Sequence, residues 1–193
     1  MLKTCDFQNS KADLGEGVYW DSEYDSLFWV DINQSILFSC SNGHIFEYQI
    51  SENISAVLSV EGGIVCLSNR SGLINYHLAS NSISQISRTP LMYSTKEYRA
   101  NDGVKLGDRL YIYGVMRNEP VKNDGALIVS KDGVSKVICT DISIPNTFIK
   151  IPNSQSLLIT DSFDGMVYKI TFNEAWSSIV SKIKWFDLSR TNT

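Results

Sequence analysis

Short apolar runs, each preceded by a polar turn, recur at close intervals along the chain. Each run is followed by a Gly, Asn or Ser turn and then by a strand in which apolar and polar residues alternate. The apolar runs are candidate inner strands and cover residues 27–30, 63–67, 110–115 and 157–160. The alternating strands cover residues 44–48, 73–78, 126–129 and 166–170. This order is typical of meandering antiparallel strands, so the pattern predicts an all-β protein.

The spacing of the runs indicates a repeat. Equivalent positions at Trp29, Cys66, Ile112 and Ile159 lie about 37, 46 and 47 residues apart, close to the ~40–50 residues of a four-stranded propeller blade. We therefore predict about four blades whose inner strands line a common axis. A β-sandwich would share the short strands but would not by itself predict the repeated order. No linker or domain boundary is visible, so residues 1–193 are predicted to form one propeller domain.

Composition narrows the class of partner. With 43% hydrophobic and 20% charged residues, the sequence is ordinary for a soluble globular domain. The net charge is -4 and the 17 Lys and Arg residues are scattered, so neither nucleic acid nor an anionic membrane is a predicted partner. The first ten residues lack the apolar core of a signal peptide, and no stretch approaches the ~18 apolar residues of a membrane span. We predict a cytoplasmic protein with a small-molecule or protein partner.

Several common chemistries have no signature in the chain. The two histidines lack a Gly-x-Ser-x-Gly or His-x-x-His context, so a Ser-His-Asp hydrolase and a histidine-rich zinc site are not predicted. No phosphate-binding glycine loop is present. The cysteines are far apart without a Cys-x-x-Cys pair, and we interpret them as buried small hydrophobic residues: Cys5, Cys40, Cys66 and Cys139.

Four polar segments between the strand-like runs hold the remaining candidates: Leu-Gly-Glu-Gly at 14–17, Arg-Ala-Asn-Asp-Gly at 99–103, Met-Arg-Asn-Glu at 116–119 and Ile-Pro-Asn at 144–146. Glu16 lies between two glycines, which permit close backbone approach. Asn146 follows a proline that restricts the turn. Carboxylate and amide oxygens suit Ca²⁺ or Mg²⁺, and zinc also accepts oxygen ligands. Taken alone, each residue also fits an ordinary solvated turn.

The second segment can present two side chains together. Arg99 and Asn101 are two positions apart, so in an extended strand they point to the same face and can meet one polar ligand. Arginine offers a fork of donors to a carbonyl or carboxylate, and asparagine both donates to and accepts from hydroxyls. The alternative from these residues alone is a turn with its corner at Asp102 and a surface arginine.

Together the four segments resemble the active site of the senescence-marker-protein/gluconolactonase (regucalcin-like) family, over nearly the whole chain. The resemblance implies a six-bladed β-propeller with one divalent metal ion, Ca²⁺, Zn²⁺, Mn²⁺ or Mg²⁺, on its axis. It implies hydrolysis of a sugar lactone, with Glu16 and Asn146 as metal ligands. Arg99, Asn101 and Glu119 match the substrate-binding residues, and Asp102 is expected to brace the loop.

The sequence departs from the family pattern at two places. The family usually has Asn-Gly where this chain has Asn146 followed by Thr147, and threonine is strained at the positive φ that glycine allows. The family's further metal ligand and general base, an aspartate in a Pro-Asp-Gly turn, lies beyond the segment matching residues 185–188, whereas this chain ends at Thr193. The catalytic base is therefore unknown, and Asp161 is interpreted as a structural turn residue.

Two expectations follow from the missing aspartate and from the blade count. Lactone hydrolysis is expected to be impaired, and blade faces left uncovered are expected to favour self-association. The alternative function is a non-catalytic or truncated propeller that binds a sugar or a divalent metal ion. An interaction propeller of the WD-repeat kind is disfavoured because no repeated Trp-Asp signature is present.

Overall fold

A computed structural model describes residues 11–188, which form four antiparallel sheets of four strands each, with strands in chain order across every sheet. The first sheet contains β1 (Gly15–Asp21), β2 (Ser26–Asp31), β3 (Ile36–Ser41) and β4 (His44–Gln49). The second contains β5 (Ile54–Glu61), β6 (Ile64–Asn69), β7 (Gly72–His77) and β8 (Ser82–Arg88). The third contains β9 (Tyr98–Gly107), β10 (Leu110–Arg117), β11 (Ala126–Lys131) and β12 (Val134–Cys139). The fourth contains β13 (Pro145–Lys150), β14 (Ser156–Asp161), β15 (Met166–Phe172) and β16 (Ile179–Asp187).

The first strand of each sheet packs against the first strand of the next. Contacts run from β1 to β5, from β5 to β9 and from β9 to β13, so these four strands surround a common axis. A 3-10 helix at Leu91–Tyr93 lies between the second and third sheets. Each sheet is therefore one blade, and the predicted all-β propeller with four blades is confirmed. Within residues 11–188, no helix has the length and apolar character needed to cross a membrane.

The repeat found in the sequence is real, but it marks a different strand from the one expected. Trp29, Cys66, Ile112 and Ile159 lie in β2, β6, β10 and β14, the second strand of each blade. The prediction that these strands line the axis is wrong. The second strand of a blade is covered on both faces, so its sequence is a continuous apolar run. Nearly all of β2 is buried in this way. The axial strands face a cavity on one side and carry glycines and polar residues.

The core lies between consecutive blades. Phe28 and Val65 belong to a buried cluster that joins the first and second blades. Tyr113 and Ile128 belong to the cluster between the second and third blades, and Phe172 to the cluster between the third and fourth. Because each blade packs against its neighbour in this way, the axial strands are held in a fixed arrangement.

Some large apolar side chains remain exposed on the outermost strand of the fourth blade. They are Val180, Ile183, Trp185 and Phe186, each about half exposed or more. Exposed apolar patches are typical of interaction surfaces. Self-association through such a face stays a prediction.

The interpretation of the cysteines holds only in part. Cys66 is 2% exposed and free, and burial raises the pKa of its thiol to about 12, so it is a poor nucleophile at neutral pH. Cys40 is buried as interpreted, but it is disulfide-bonded and not simply a small hydrophobic residue, and Cys139 is free and only partly buried. Pairing depends on which chain segments meet in the fold, and the spacing of the cysteines does not carry that information. Cys5 lies outside the described residues.

Candidate functional site

Every axial strand is interrupted by a β-bulge. The irregular pairings fall at Gly17 and Val18 in β1, at Ser55 in β5, at Asn101 and Asp102 in β9, and at Thr147 in β13. A bulge leaves a residue unpaired and redirects its neighbours, and such irregularities are common beside functional sites. Two of these bulges fall within the polar segments 14–17 and 99–103, and a third directly follows the segment 144–146. The fold brings them to one axis.

Glycine is required at position 17 for a reason that differs from the one expected. Gly17 has φ +61°, and a Cβ there would lie 2.7 Å from the Cα of Ala56 on the neighbouring blade. The close approach is therefore between backbone and backbone, not between backbone and ligand. It allows the bulge that sets the direction of Glu16 at the start of β1.

A cavity of about 800 Å³ runs along the axis between the blades. Glu16 and Asn146 line it near the starts of β1 and β13, and Asp102 lines it midway along β9. Glu61 and Lys105, which form an ion pair, line it near the ends of their strands. Two predicted metal ligands, Glu16 and Asn146, therefore face the same space. Asp102 joins them there.

The charges around Glu16 are unbalanced. Burial raises the pKa of Glu16, the negative charge of Asp102 raises it further, and Arg99 opposes both effects. Burial also raises the pKa of Asp102, although backbone N–H groups of Gly103, Thr147 and Phe148 stabilise its charged form. Burial lowers the pKa of Arg99, and Glu16 counteracts this shift. The carboxylates of Glu16 and Asp102 thus repel each other, and a bound cation would offset this repulsion.

Arg99 is held in place by its own strand. Its Nη1 donates to the backbone oxygen of Ala100 at 3.0 Å and to Oδ1 of Asn101 at 2.6 Å. Nδ2 of Asn101, which is 8% exposed, donates in turn to the backbone oxygen of Pro145 at 3.0 Å. Asn101 therefore joins the third blade to the fourth and fixes Arg99. Both polar atoms of its side chain already have protein partners, so its contact with a substrate stays a prediction.

Asn146 is positioned by the strained residue that follows it. Thr147 has φ +56°, a conformation rare for a β-branched residue. Its backbone N–H donates to Oδ1 of Asn146 at 3.0 Å. An amide oxygen has two lone pairs, so one acceptor site remains for a ligand. The threonine therefore adopts the glycine-like turn that the resemblance implies, at an energetic cost.

A Thr147→Gly variant should be more stable than the wild type by about 1 kcal/mol. The left-handed conformation costs a β-branched residue about 1–3 kcal/mol, of which the larger unfolded-state entropy of glycine cancels part. Urea denaturation would measure the difference. Lys136→Gly is the control, at an exposed position of β12 without positive φ, where glycine should destabilise the protein. A loss of stability in Thr147→Gly would contradict the assigned strain.

Buried aspartates fix the chain where it enters two axial strands. Asp161 accepts hydrogen bonds from the backbone N–H of Ser143 at 2.8 Å and of Ile144 at 3.0 Å, immediately before β13. Asp31 accepts in the same way from Asp13 at 2.7 Å and Leu14 at 3.4 Å, before β1. The interpretation of Asp161 as a structural residue agrees with these contacts. Asp31 and Asp161 set the starting points of the strands that carry Glu16 and Asn146.

A second cavity, of about 410 Å³, is lined by Arg99, whose charge also acts on Glu16 in the axial cavity. Arg70 and Ser55 line it, and neither belongs to a polar segment found in the sequence. Asn118 also lines it, whereas Glu119 is exposed on the loop after β10 and lines neither cavity. A substrate contact by Glu119 stays a prediction.

The residues at the axis fit a hard divalent cation. Glu16 and Asp102 supply carboxylate oxygens and Asn146 supplies an amide oxygen, which are ligands that Ca²⁺ prefers. No group of three or more His, Cys, Asp and Glu residues suited to a metal ion occurs within residues 11–188. Water or further ligands would have to complete the 6–8 oxygens that Ca²⁺ takes.

Known structures share this architecture. A calcium-binding protein, regucalcin, from Agrobacterium tumefaciens str. C58 is 18% identical, with a TM-score of 0.83 over 92% of this chain and 61% of its own. A luciferin-regenerating enzyme is 18% identical, with a TM-score of 0.82 over 95% of this chain and 64% of its own. A gluconolactonase from Xanthomonas campestris is 12% identical, with a TM-score of 0.68 over 90% of this chain and 63% of its own. At these identities the likeness shows the fold alone.

The sequence itself gives the relationship. This chain spans less than two thirds of the length of each of these structures. No curated protein matches the sequence. The family profile described as SMP-30/Gluconolactonase/LRE-like region matches residues 14–193, a range that contains all four polar segments. The chain therefore belongs to the SMP-30/gluconolactonase/LRE-like family.

Proposed function

We propose that this chain has a gluconolactonase-like function, the metal-dependent hydrolysis of a sugar lactone. The observation that supports it best is that Glu16, Asp102 and Asn146 line one axial cavity while Arg99 acts electrostatically on Glu16. The site combines oxygen ligands with a guanidinium donor, as lactone opening requires. A gluconolactonase and the calcium-binding regucalcin, both of the same fold, support the assignment.

Glu16 and Asn146 would hold the divalent ion, with the Asp102 carboxylate adding charge nearby. A bound ion would polarise the lactone carbonyl and lower the pKa of a water molecule that opens the ring. Arg99 orients the substrate, because its Nη1 is fixed by Ala100 and Asn101 while its other donors stay available for ring or carbonyl oxygens.

We further propose that these 193 residues assayed alone catalyse weakly. The resemblance assigns the general base to an aspartate outside them, and general acid–base catalysis typically contributes about 10²–10⁴-fold. Glu16 and Asp102 are carboxylates that line the axial cavity, and Asp102 is engaged by backbone N–H groups of the bulge. A site with this set of ligands also suits the alternative function, binding of a sugar or metal ion without turnover.

The test combines metal titration with an assay on glucono-1,5-lactone. Ca²⁺, Mn²⁺ or Zn²⁺ should stimulate hydrolysis, and Glu16→Gln should abolish this stimulation. The variant should bind the metal at least about tenfold more weakly, since even residues behind the ligands are worth about 10–100-fold. Glu23→Gln, on the exposed turn after β1, is the matched control.

The outcomes separate the two functions. Metal-stimulated hydrolysis that depends on Glu16 supports the lactonase. Glu16-dependent metal binding with no hydrolysis above the spontaneous rate supports the binding function instead. If Glu16→Gln leaves metal affinity unchanged, then the metal site is assigned to the wrong residues.

A further inference from the structure

The cavity beside the axial site has the properties of a ligand subsite. Its volume, about 410 Å³, lies in the range of small-molecule pockets, about 300–1,000 Å³. Its lining is polar except for Leu14 and Ile32, and comprises Asn33, Asn53, Ser55, Arg70, Arg99 and Asn118. Arg99 also acts electrostatically on Glu16 at the axis. Arg99 therefore links this cavity electrostatically to the axial site.

The charge of Arg70 in this cavity is not neutralised by a carboxylate of the described structure, whereas Glu16 partly balances Arg99 from the axial cavity. Two arginines, Arg70 and Arg99, line it together with no carboxylate. Neither forms an ion pair with another described residue, whereas Arg109 and Arg117 pair with Asp132 and Asp124. The net charge of the whole chain is -4, so the positive cavity is a local feature.

Asp13, Asp31 and Glu52 each directly precede a residue of the cavity lining, and each accepts hydrogen bonds from groups other than Arg70. Glu52 precedes Asn53, but its Oε2 accepts hydrogen bonds from Asn69 Nδ2 at 2.8 Å and from Ser71 Oγ at 3.4 Å. It forms no ion pair with Arg70 in the described structure. The guanidinium of Arg70 is left without an acidic partner.

Two buried donors in the lining also lack a hydrogen-bond partner. Nε of Arg70 and Oγ of Ser55 are both buried and unsatisfied, and Ser55 is 1% exposed. Ser55 is the bulge residue of β5, so the same irregularity that shapes the axis delivers it here. Buried polar groups without partners are uncommon, and each one needs an explanation such as a ligand. Nε of Arg70 can only donate and Oγ of Ser55 can donate, so both suit a ligand that accepts hydrogen bonds.

We propose that this cavity binds the anionic group of an acidic sugar, a carboxylate or a phosphate ester, through Arg70 and Arg99. Planar guanidinium forks match both groups. This inference rests on the proposed function where it names the substrate class, a sugar lactone with an additional acidic group. The lactone ring lies at the axis while its acidic group enters the second cavity. Anion binding itself does not depend on catalysis.

The experiment compares three sugars with the same ring: glucose, glucuronate and glucose 6-phosphate. Binding to the full chain is measured by calorimetry without metal and at low salt. At least one charged sugar should bind about tenfold or more tightly than glucose, because charge-assisted hydrogen bonds are about twice as strong as neutral ones. The tighter of the two identifies carboxylate or phosphate as the recognised group.

Substitutions assign the effect to the cavity. Arg70→Gln should abolish the preference for the charged sugar, and Arg70→Lys should keep part of it. Arg109→Gln is the control, because this arginine is exposed, lies on the turn between β9 and β10 and lines neither cavity. Circular dichroism would verify that each variant is folded, and Arg70→Lys tests the same site should the glutamine variant unfold.

Equal affinity for all three sugars would overturn the inference, and so would a preference that survives in folded Arg70 variants. The result is independent of the lactonase assay. Arg70-dependent binding without any metal-stimulated hydrolysis would support this subsite and contradict the lactonase. Metal-stimulated hydrolysis of gluconolactone without a preference for charged sugars would support the lactonase and contradict this subsite.

Discussion

Lactone hydrolysis by an Arg99→Ala variant is expected to fall by about 10²–10³-fold, the loss typical when an oriented donor to developing charge is removed. Arg99 is the guanidinium that partly balances Glu16 at the axis, and its Nη1 is fixed by two hydrogen bonds. Alanine removes the donors and also the positive charge that opposes the raised pKa of Glu16. Arg99→Lys should restore little activity, because an ammonium does not reproduce the fork.

The measurement is kcat/KM for glucono-1,5-lactone at saturating metal, with unfolding monitored in parallel. Arg99 is partly buried, so its removal also costs some stability, about 1 kcal/mol for hydrogen bonds of this kind. Activity should therefore fall far more than stability. Arg109→Ala serves as the surface control. Turnover equal to the wild type in folded Arg99→Ala would remove this residue from the mechanism.

The blades could be predicted because their second strands are buried on both faces. Such strands give continuous apolar runs, and Trp29 and Ile159 mark equivalent positions correctly. The axial strands could not be predicted because bulges break their alternation of apolar and polar residues. In β1 the bulge follows Glu16, and in β13 it falls at Thr147. A one-residue insertion moves every later side chain to the opposite face, so a period-2 pattern is lost where the site lies.

Short sequence motifs predicted the axial part of the site, but no motif predicted the second cavity. Glu16 and Asn146 lie in motifs that resemble those of the family, and both line the axial cavity. Arg70 follows the buried strand β6 in an ordinary turn, and Ser55 sits within an apolar strand. No feature of the neighbouring sequence distinguishes Arg70 from a surface residue or Ser55 from a core residue. Their importance comes from blade packing, which places them beside Arg99.

An Asp31→Asn variant is expected to lose on the order of 3 kcal/mol of stability at neutral pH, about 6–12 °C in Tm for a chain of this size. Asp31 is 0% exposed and accepts backbone N–H bonds from the segment before β1 and from the turn after its own strand, β2. Asn33 and Gln34 donate to Oδ1 at 3.0 and 3.1 Å, and Asp13 donates to Oδ2 at 2.7 Å. An asparagine amide would point donors at some of these N–H groups and leave them unsatisfied.

The difference should depend on pH in a defined direction. Burial would raise the pKa of Asp31, but the backbone N–H donors outweigh it and lower the pKa below its ordinary 3.8. The contribution of Asp31 is therefore complete at pH values above its unfolded pKa and declines as pH falls through the lower folded pKa. Denaturant unfolding of both proteins from neutral to acidic pH would measure it, with exposed Asp25→Asn as the control. A stability difference near zero at pH 7, or one that grows on acidification, would contradict the role of Asp31 in holding the entry to the strand that carries Glu16.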